Sequence, residues 1–195
     1  EWHIVLNEDG LPKLRVSPYY ERMLRGGIAT KEDRDYIKGR IQSAAFLIQS
    51  IHRRQRTIYR VVKSILDKQM DFFEHGVSRL KPMVLRDVAE DIGVHESTVS
   101  RATTNKYVQC PQGVLELKFF FNAAIPKVGG GDVASEAVKS RIRQLISKED
   151  VKNPLSDQAL VEMLRAEGLK VARRTVAKYR DEQGILPSSR RKSVF

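Results

Sequence analysis

The chain has 195 residues, 41% of them apolar, enough for one mid-sized domain or two small ones with real cores. Its 35 Lys and Arg against 24 Asp and Glu leave a net charge of +11, an excess that favours a polyanionic partner, nucleic acid ahead of an acidic membrane surface. A single cysteine, Cys110, excludes an internal disulfide framework and, with four scattered histidines, offers no metal-ligand spacing, so a reducing cytosolic setting fits best.

No apolar stretch approaches the roughly 18 residues that span a bilayer, and the opening EWHIVLNEDG lacks the layout of a signal peptide, so no membrane partner is expected. The chain starts at Glu1 rather than Met and opens directly into a strand-like pattern, as a fragment of a longer protein would.

Ile4 to Leu6 and Leu11 to Val16 read as two short strands around an Asp9-Gly10 turn, a small N-terminal β-hairpin. From Lys31 to about His75 apolar residues recur at three and four: Ile37, Ile41, Ala44, Ile48 and Ile51, then Ile58, Val61, Ile65 and Met70. Two helices are expected there rather than one very long one. Between the stripes, His52 to Arg56 with Arg60 and Lys63 form a cationic run, either a solvated face or a binding face. Leu115 to Phe121 is a short apolar run, strand or buried extended segment. Pro126 to Asp132, with Gly129, Gly130 and Gly131 at its centre, reads as a linker. Beyond it, 133–147, 157–167 and 172–183 are helical patterns separated by Asn153-Pro154 and Gly168, and the basic tail Ser188 to Phe195 is expected to fray.

Leu85 to Arg101 has the layout of a helix-turn-helix, with a packed helical corner as the alternative. Ala89 is small where a second helix crosses closely, Gly93 supplies the tight turn, and Val94 and Val99 fill the space between the helices. Glu96, Ser97, Ser100 and Arg101 then point outward and are the candidates for reading base edges and phosphates from a helix in the major groove. The segment Val94 to Ala102 lines up with Val171 to Tyr179: Val, Thr and Val coincide, Ser pairs with Ala, and Arg with Lys. This repetition points to a second recognition helix. On a helical wheel Ala172, Val176 and Tyr179 share one face, while Arg174, Ala177 and Lys178 centre the other, flanked by Arg173 and Thr175. Arg pairs bidentately with guanine O6 and N7, so Arg173 and Arg174 at a helix start predict a guanine-containing site; a solvated basic helix is the plain alternative.

Ala172-Arg173-Arg174-Thr175-Val176-Ala177-Lys178-Tyr179-Arg180 resembles the RpoN box, the signature of bacterial sigma-54 transcription factors. Upstream, His95 to Arg101, Thr104 to Tyr107, Pro111 to Gly113 and Leu115 to Phe120 are similar to that family's core-binding and helix-turn-helix region, so the resemblance covers essentially the whole chain. It implies a sigma subunit that binds core RNA polymerase and carries it to promoters with a GG element near minus-24 and a GC element near minus-12. The nine box residues would serve the minus-24 element, and His95, Glu96, Ser97, Thr98, Ser100, Arg101 and Lys106 the minus-12 side. The resemblance also implies a division into 1–80 (C-terminal part of a core-binding domain), 81–125 (helix-turn-helix), 126–132 (linker) and 133–195 (box domain). The glutamine-rich, activator-responsive region with which family members begin is not seen before Glu1, so this chain alone is expected to bind promoter DNA without supporting regulated initiation. In the whole protein an AAA+ activator ATPase would drive opening, and no G-x-x-x-x-G-K-[ST] loop occurs here to supply that chemistry.

The expected fold is therefore mainly α: a helical bundle with a small N-terminal hairpin, a helix-turn-helix, and a separate three-helix C-terminal domain. No catalytic residue, cofactor, metal or small-molecule substrate is expected. His95-Glu96 begins like H-E-x-x-H, but Val99 stands where the second histidine belongs. Cys110 has no nearby histidine or basic helix start to make it a thiolate, Asp87, Glu90 and Asp91 read as solvated charge, and Tyr179 lies on the packing face. The rival reading is a free-standing repressor, because Leu85 to Arg101 also resembles the helix-turn-helix of the LacI type, although nothing like a sugar-binding domain follows.

Overall fold

A computed structural model describes residues 2–26, 30–127 and 131–192; Val128, Gly129 and Gly130 of the expected linker, and residues 193–195 of the tail, lie outside the described residues. The described chain is mainly helical and divides into two compact units, 1–63 and 64–195.

In the first unit the expected hairpin at 4–16 is not formed. Its turn is present, with Gly10 at φ 79°, Leu11 N–H bonded to the Glu8 carbonyl at 3.0 Å and Asp9 N–H to the Asn7 side chain at 2.7 Å. The flanking segments do not pair, and Val5 is 88% exposed. An isolated two-stranded hairpin with no third strand or covering face is marginal in water. Helix α1 (Pro18–Arg25) follows, opened by a proline whose missing N–H costs nothing at a helix start.

Helix α2 (Lys31–Lys68) runs unbroken through 38 residues where two helices were expected. Thr30 starts it by accepting the Asp33 N–H at 3.2 Å while donating to the Asp33 carboxylate at 2.6 Å. Its single glycine, Gly39, is too weak a breaker to stop it, and no proline intervenes. Ser43, Ser50 and Thr57 return their hydroxyls to the carbonyl four residues back, so none of them competes for the helical N–H groups.

The second unit begins in the last turn of α2. Gln69, fully buried, ends the helix and ties its side chain to the backbone of Lys81, donating to its carbonyl at 2.8 Å and accepting its N–H at 3.0 Å. Helix α3 (Met70–His75) brings Phe72 and Phe73 onto Phe119 and Phe120, an aromatic cluster with ring centroids 5.3–5.8 Å apart. Helices α4 (Leu85–Ile92) and α5 (Glu96–Thr103) come next, then an antiparallel hairpin of β1 (Tyr107–Cys110) and β2 (Gly113–Glu116). The apolar run at 115–121 thus splits: its start finishes β2, and Leu117–Phe120 is a 3-10 turn that buries Leu117 and Phe120.

Strands β3 (Ala124–Pro126) and β4 (Asp132–Ala134) pair antiparallel, with Ile125 opposite Val133. The stretch expected to be a linker is therefore bounded by paired strands, and Lys127 N–H reaches the Gly131 carbonyl at 3.2 Å. Helices α6 (Ser135–Ser147), α7 (Asp157–Ala166), α8 (Arg173–Glu182) and α9 (Ser188–Arg191) complete the chain. Ser156 caps α7 by accepting the Ala159 N–H at 3.1 Å, and Gly168 at φ 84° turns the chain after it. Val138, Ile142, Leu160, Leu164 and Val176 meet in the core of these helices, and the extended segment before α8 contributes Leu169 and Val171 while pairing with Lys127.

Candidate nucleic-acid interface

The two sequence segments that align also fold alike. Helix α4 ends where Gly93 takes the left-handed conformation, φ 65° and ψ 45°, and its N–H returns to the carbonyls of Ala89 and Glu90. Val94 and His95 lead into α5, whose Val99 is completely buried against the first helix along with Val88 and Ala89. In the C-terminal pair, Val171 and Ala172 lead into α8, and Val176 is buried as completely as Val99. Both second helices thus start two residues after the first aligned valine and bury the second.

On α5 the polar residues face water. His95, Glu96, Ser97 and Arg101 are exposed, and Thr98, Ser100 and Lys106 are half-buried. His95 caps the helix, its Nδ1 3.2 Å from the Ser97 N–H and 2.9 Å from the Ser97 hydroxyl. Arg101 Nε donates to the Ser97 carbonyl one turn back at 3.2 Å, which lays the guanidinium along the exposed face. Asp87 reaches back to the Val84 N–H at 2.8 Å and Arg86 pairs with Glu90 at 2.7 Å, so two of the acidic side chains of α4 are used in the helix itself.

On α8 the box divides between surface and framework. Ala172, Arg173, Arg174 and Lys178 are exposed, Thr175, Ala177 and Tyr179 half-buried, and Val176 and Arg180 buried. The side chain of Arg180 is 5% exposed; it pairs with Asp157 at 2.9 Å, contacts Asp181 at 2.7 Å and donates to the Ile185 carbonyl at 2.6 Å. The hydrogen bond that Arg180 donates to Asp157 outweighs burial and holds the guanidinium above its ordinary pKa. Arg180, one of the expected DNA-contacting residues of the box, joins α8 to α7 from the inside, because it stands one turn after Val176 on the buried face. Val176 likewise faces the core.

The wheel placed Tyr179 on the packing side, and the structure agrees: its ring lies against the core, with the Lys139 ammonium 5.3 Å from the ring centroid. Lys139 also meets Glu136 at 2.7 Å and Glu182 at 2.9 Å. Burial opposes its charge, but the two carboxylates outweigh it and hold the ammonium above its ordinary pKa. Lys178 extends from the exposed side, 69% accessible, with Glu182 3.7 Å away.

Among the described residues no group of three His, Cys, Asp or Glu could hold a metal, and no helix is long and apolar enough to cross a membrane. The geometry is that of a chain carrying two helix-turn-helix units, each with a buried valine beneath an exposed polar helix face.

The family model described as "Sigma-54, DNA binding domain" matches residues 34–193. Across its whole length the chain is 43% identical to an RNA polymerase sigma-54 factor of Vibrio anguillarum and covers 40% of that protein. It is 42% identical over 194 residues to the one of Pseudomonas putida, covering 39% of it, and 41% over 193 residues to the one of Escherichia coli K12, covering 40%. The crystal structure of Aquifex aeolicus sigmaN bound to promoter DNA superposes with a TM-score of 0.56 at 32% identity, over 98% of this chain and 56% of that one. The chain belongs to the sigma-54 DNA-binding domain family. It spans about 40% of the length of the relatives it matches.

Proposed function

We propose that this chain is the promoter-recognition part of a sigma-54 transcription initiation factor, with α8 on the minus-24 element and α5 on the minus-12 side. The observation that carries the reading is the split of the box helix: Val176 and the Asp157-paired Arg180 pack inward, while Arg173, Arg174 and Lys178 are exposed at the surface of a strongly basic chain. A helix of that kind enters the major groove, where arginine reads guanine bidentately and lysine meets phosphate as a point charge. The relatives' name and the promoter DNA bound to the Aquifex protein support the assignment.

The rest of the reading follows the family. Residues 1–80 belong to the surface that holds core RNA polymerase, and the exposed cations Arg53, Arg54, Arg56 and Lys63 of α2 face that partner or the adjacent DNA. Residues 81–125 and 133–195 act as the two reading heads. An AAA+ activator works through the whole protein, in the bacterial cytoplasm where promoters are found, and this chain carries no catalysis of its own.

The test is fluorescence-anisotropy binding to a duplex with GG and GC elements at the family spacing, against the same duplex with the GG replaced. The expected result is a clear preference for the intact duplex that disappears in Arg173→Ala/Arg174→Ala. Lys178→Ala should weaken both duplexes alike and lower the salt slope by about 1. Equal binding of the unmodified chain to both duplexes would overturn the reading.

A further inference from the structure

Outside the nine-residue box, one side chain joins the far end of α8 to the middle of α6. Gln183, the first residue past α8, donates from Nε2 to the Lys139 carbonyl at 3.1 Å and to the Tyr179 carbonyl at 3.1 Å, while its Oε1 accepts from Arg143 Nε at 3.0 Å. Its own N–H turns to the Arg180 carbonyl at 3.1 Å, which leaves the Tyr179 carbonyl to the side chain. Lys139 and Arg143 stand one turn apart on α6, so that helix offers an acceptor and a donor at adjacent points of one face. Of the neutral side chains, a long amide is the one that fills both roles at this reach.

We propose that Gln183 is a positioning residue that sets the angle at which α8 presents Arg173 and Arg174 to the bases; the proposal rests on the promoter reading above. The helix is seated in the core at Val176. From there the reading arginines lie about 3–5 Å along the axis and Gln183 about 10 Å in the opposite direction. A tie at the long end of such a lever limits tilt more strictly than contacts at the pivot. The salt bridge from Lys139 to Glu182 secures the same turn, but through a flexible stem, whereas the planar amide is held at three points.

Loosening this tie should not unfold the chain. The Lys139 carbonyl keeps its own helical bond, Tyr179 presents its carbonyl in the last turn of α8, and Arg143 is exposed and free to turn to water. The residue therefore separates orientation from folding.

The experiment measures the full 195-residue chain and its Gln183→Met variant on the intact and GG-replaced duplexes across a salt series, alongside thermal unfolding. The expected result is a loss of about tenfold in preference for the intact duplex, the scale of one impaired bidentate base contact, with affinity and salt slope on the GG-replaced duplex unchanged. Should Gln183→Met not fold, Gln183→Glu carries the test, since it keeps its bond to Arg143, loses both donated bonds, and should still lower the preference. A folded variant with undiminished preference, or with the same proportional loss on both duplexes, overturns the proposal while the promoter reading stands. An unmodified chain without preference overturns the reading itself, and the proposal with it.

Discussion

Arg174 and Arg180 lie on one helix of ten residues and do opposite work. Arg174 is exposed at the start of α8, whereas Arg180 is sunk between Asp157, Asp181 and the Ile185 carbonyl. Replacing one partner of a buried pair leaves the other charge without compensation, which costs about 3–5 kcal/mol. Asp157→Asn should therefore lower the stability of the chain by about 3 kcal/mol, the low end because Asp181 still faces Arg180, as read by urea unfolding. DNA affinity measured under conditions where the variant is fully folded should be unchanged. A folded Asp157→Asn chain that has lost its preference for GG would instead give this pair a part in reading DNA. The signal for the role of Arg180 was present in the sequence but was not used: Arg180 stands four residues after Val176 and next to Tyr179, beside the face that the wheel assigned to packing, while it was counted among the DNA contacts. What spacing could not supply was Asp157, 23 residues earlier and on another helix.

Each helix-turn-helix depends on a small number of backbone positions. Gly93 closes α4 at φ 65°, and a Cβ built there would meet no atom within 4 Å, so a side chain would suffer from the left-handed backbone and not from crowding. Gly93→Ala is expected to cost about 1 kcal/mol, read as a lower unfolding midpoint, with DNA binding kept below it. A much larger loss would show that the turn packs more tightly than its open surroundings imply. Elements with strong periodicity were legible in advance: α4 to α8 stand where the stripes and stop signals put them, because apolar faces, caps and glycines are local facts. The misread elements depended on non-local ones. Residues 4–16 have the turn chemistry of a hairpin but nothing to cover it, and β3 and β4, on either side of the glycines, rest on a register, Ile125 opposite Val133, that no local pattern announces. The β1–β2 hairpin went unread for the same reason, its Pro111-Gln112-Gly113 turn being visible and its pairing not. In the box helix the exposed arginines were legible from the wheel, while the partners that orient it, Lys139, Arg143 and Gln183, come from two different segments.

At the scale of the whole molecule, a net charge of +11 gives weight to the carboxylates that hold elements together, such as the half-buried Glu149. Glu149 accepts from the Leu155 N–H at 2.8 Å and meets Arg191 Nε at 2.6 Å, so the short α9 is bound to the loop before α7. Burial raises the Glu149 pKa, and the guanidinium together with the backbone N–H outweigh it, leaving the carboxyl below its ordinary value. The unfolded chain then takes up the proton first. The stabilisation from Glu149 is complete above its ordinary pKa of about 4.3 and is lost as pH falls through the lowered folded value. Thermal midpoints recorded from pH 7 down to pH 3 should fall on the acid side, and Glu149→Gln should start about 2–3 kcal/mol less stable and show a shallower acid fall. Parallel pH profiles for the two chains would rule out a role for this group.

Helix α2 buries Ile37 alone between Lys31 and Arg60, then Val61, Ser64 and Ile65 in quick succession. A helix so unevenly covered is held along most of its length by its own backbone bonds, which open whenever a turn frays, and at its end by side chains that must leave a core before the amides are freed. Its amide protons should therefore trade for deuterium along a gradient, fast around Phe46 and slow around Ile65. Peptide-resolved exchange would trace that slope directly, and an even rate from end to end would mean that something else shelters the exposed half.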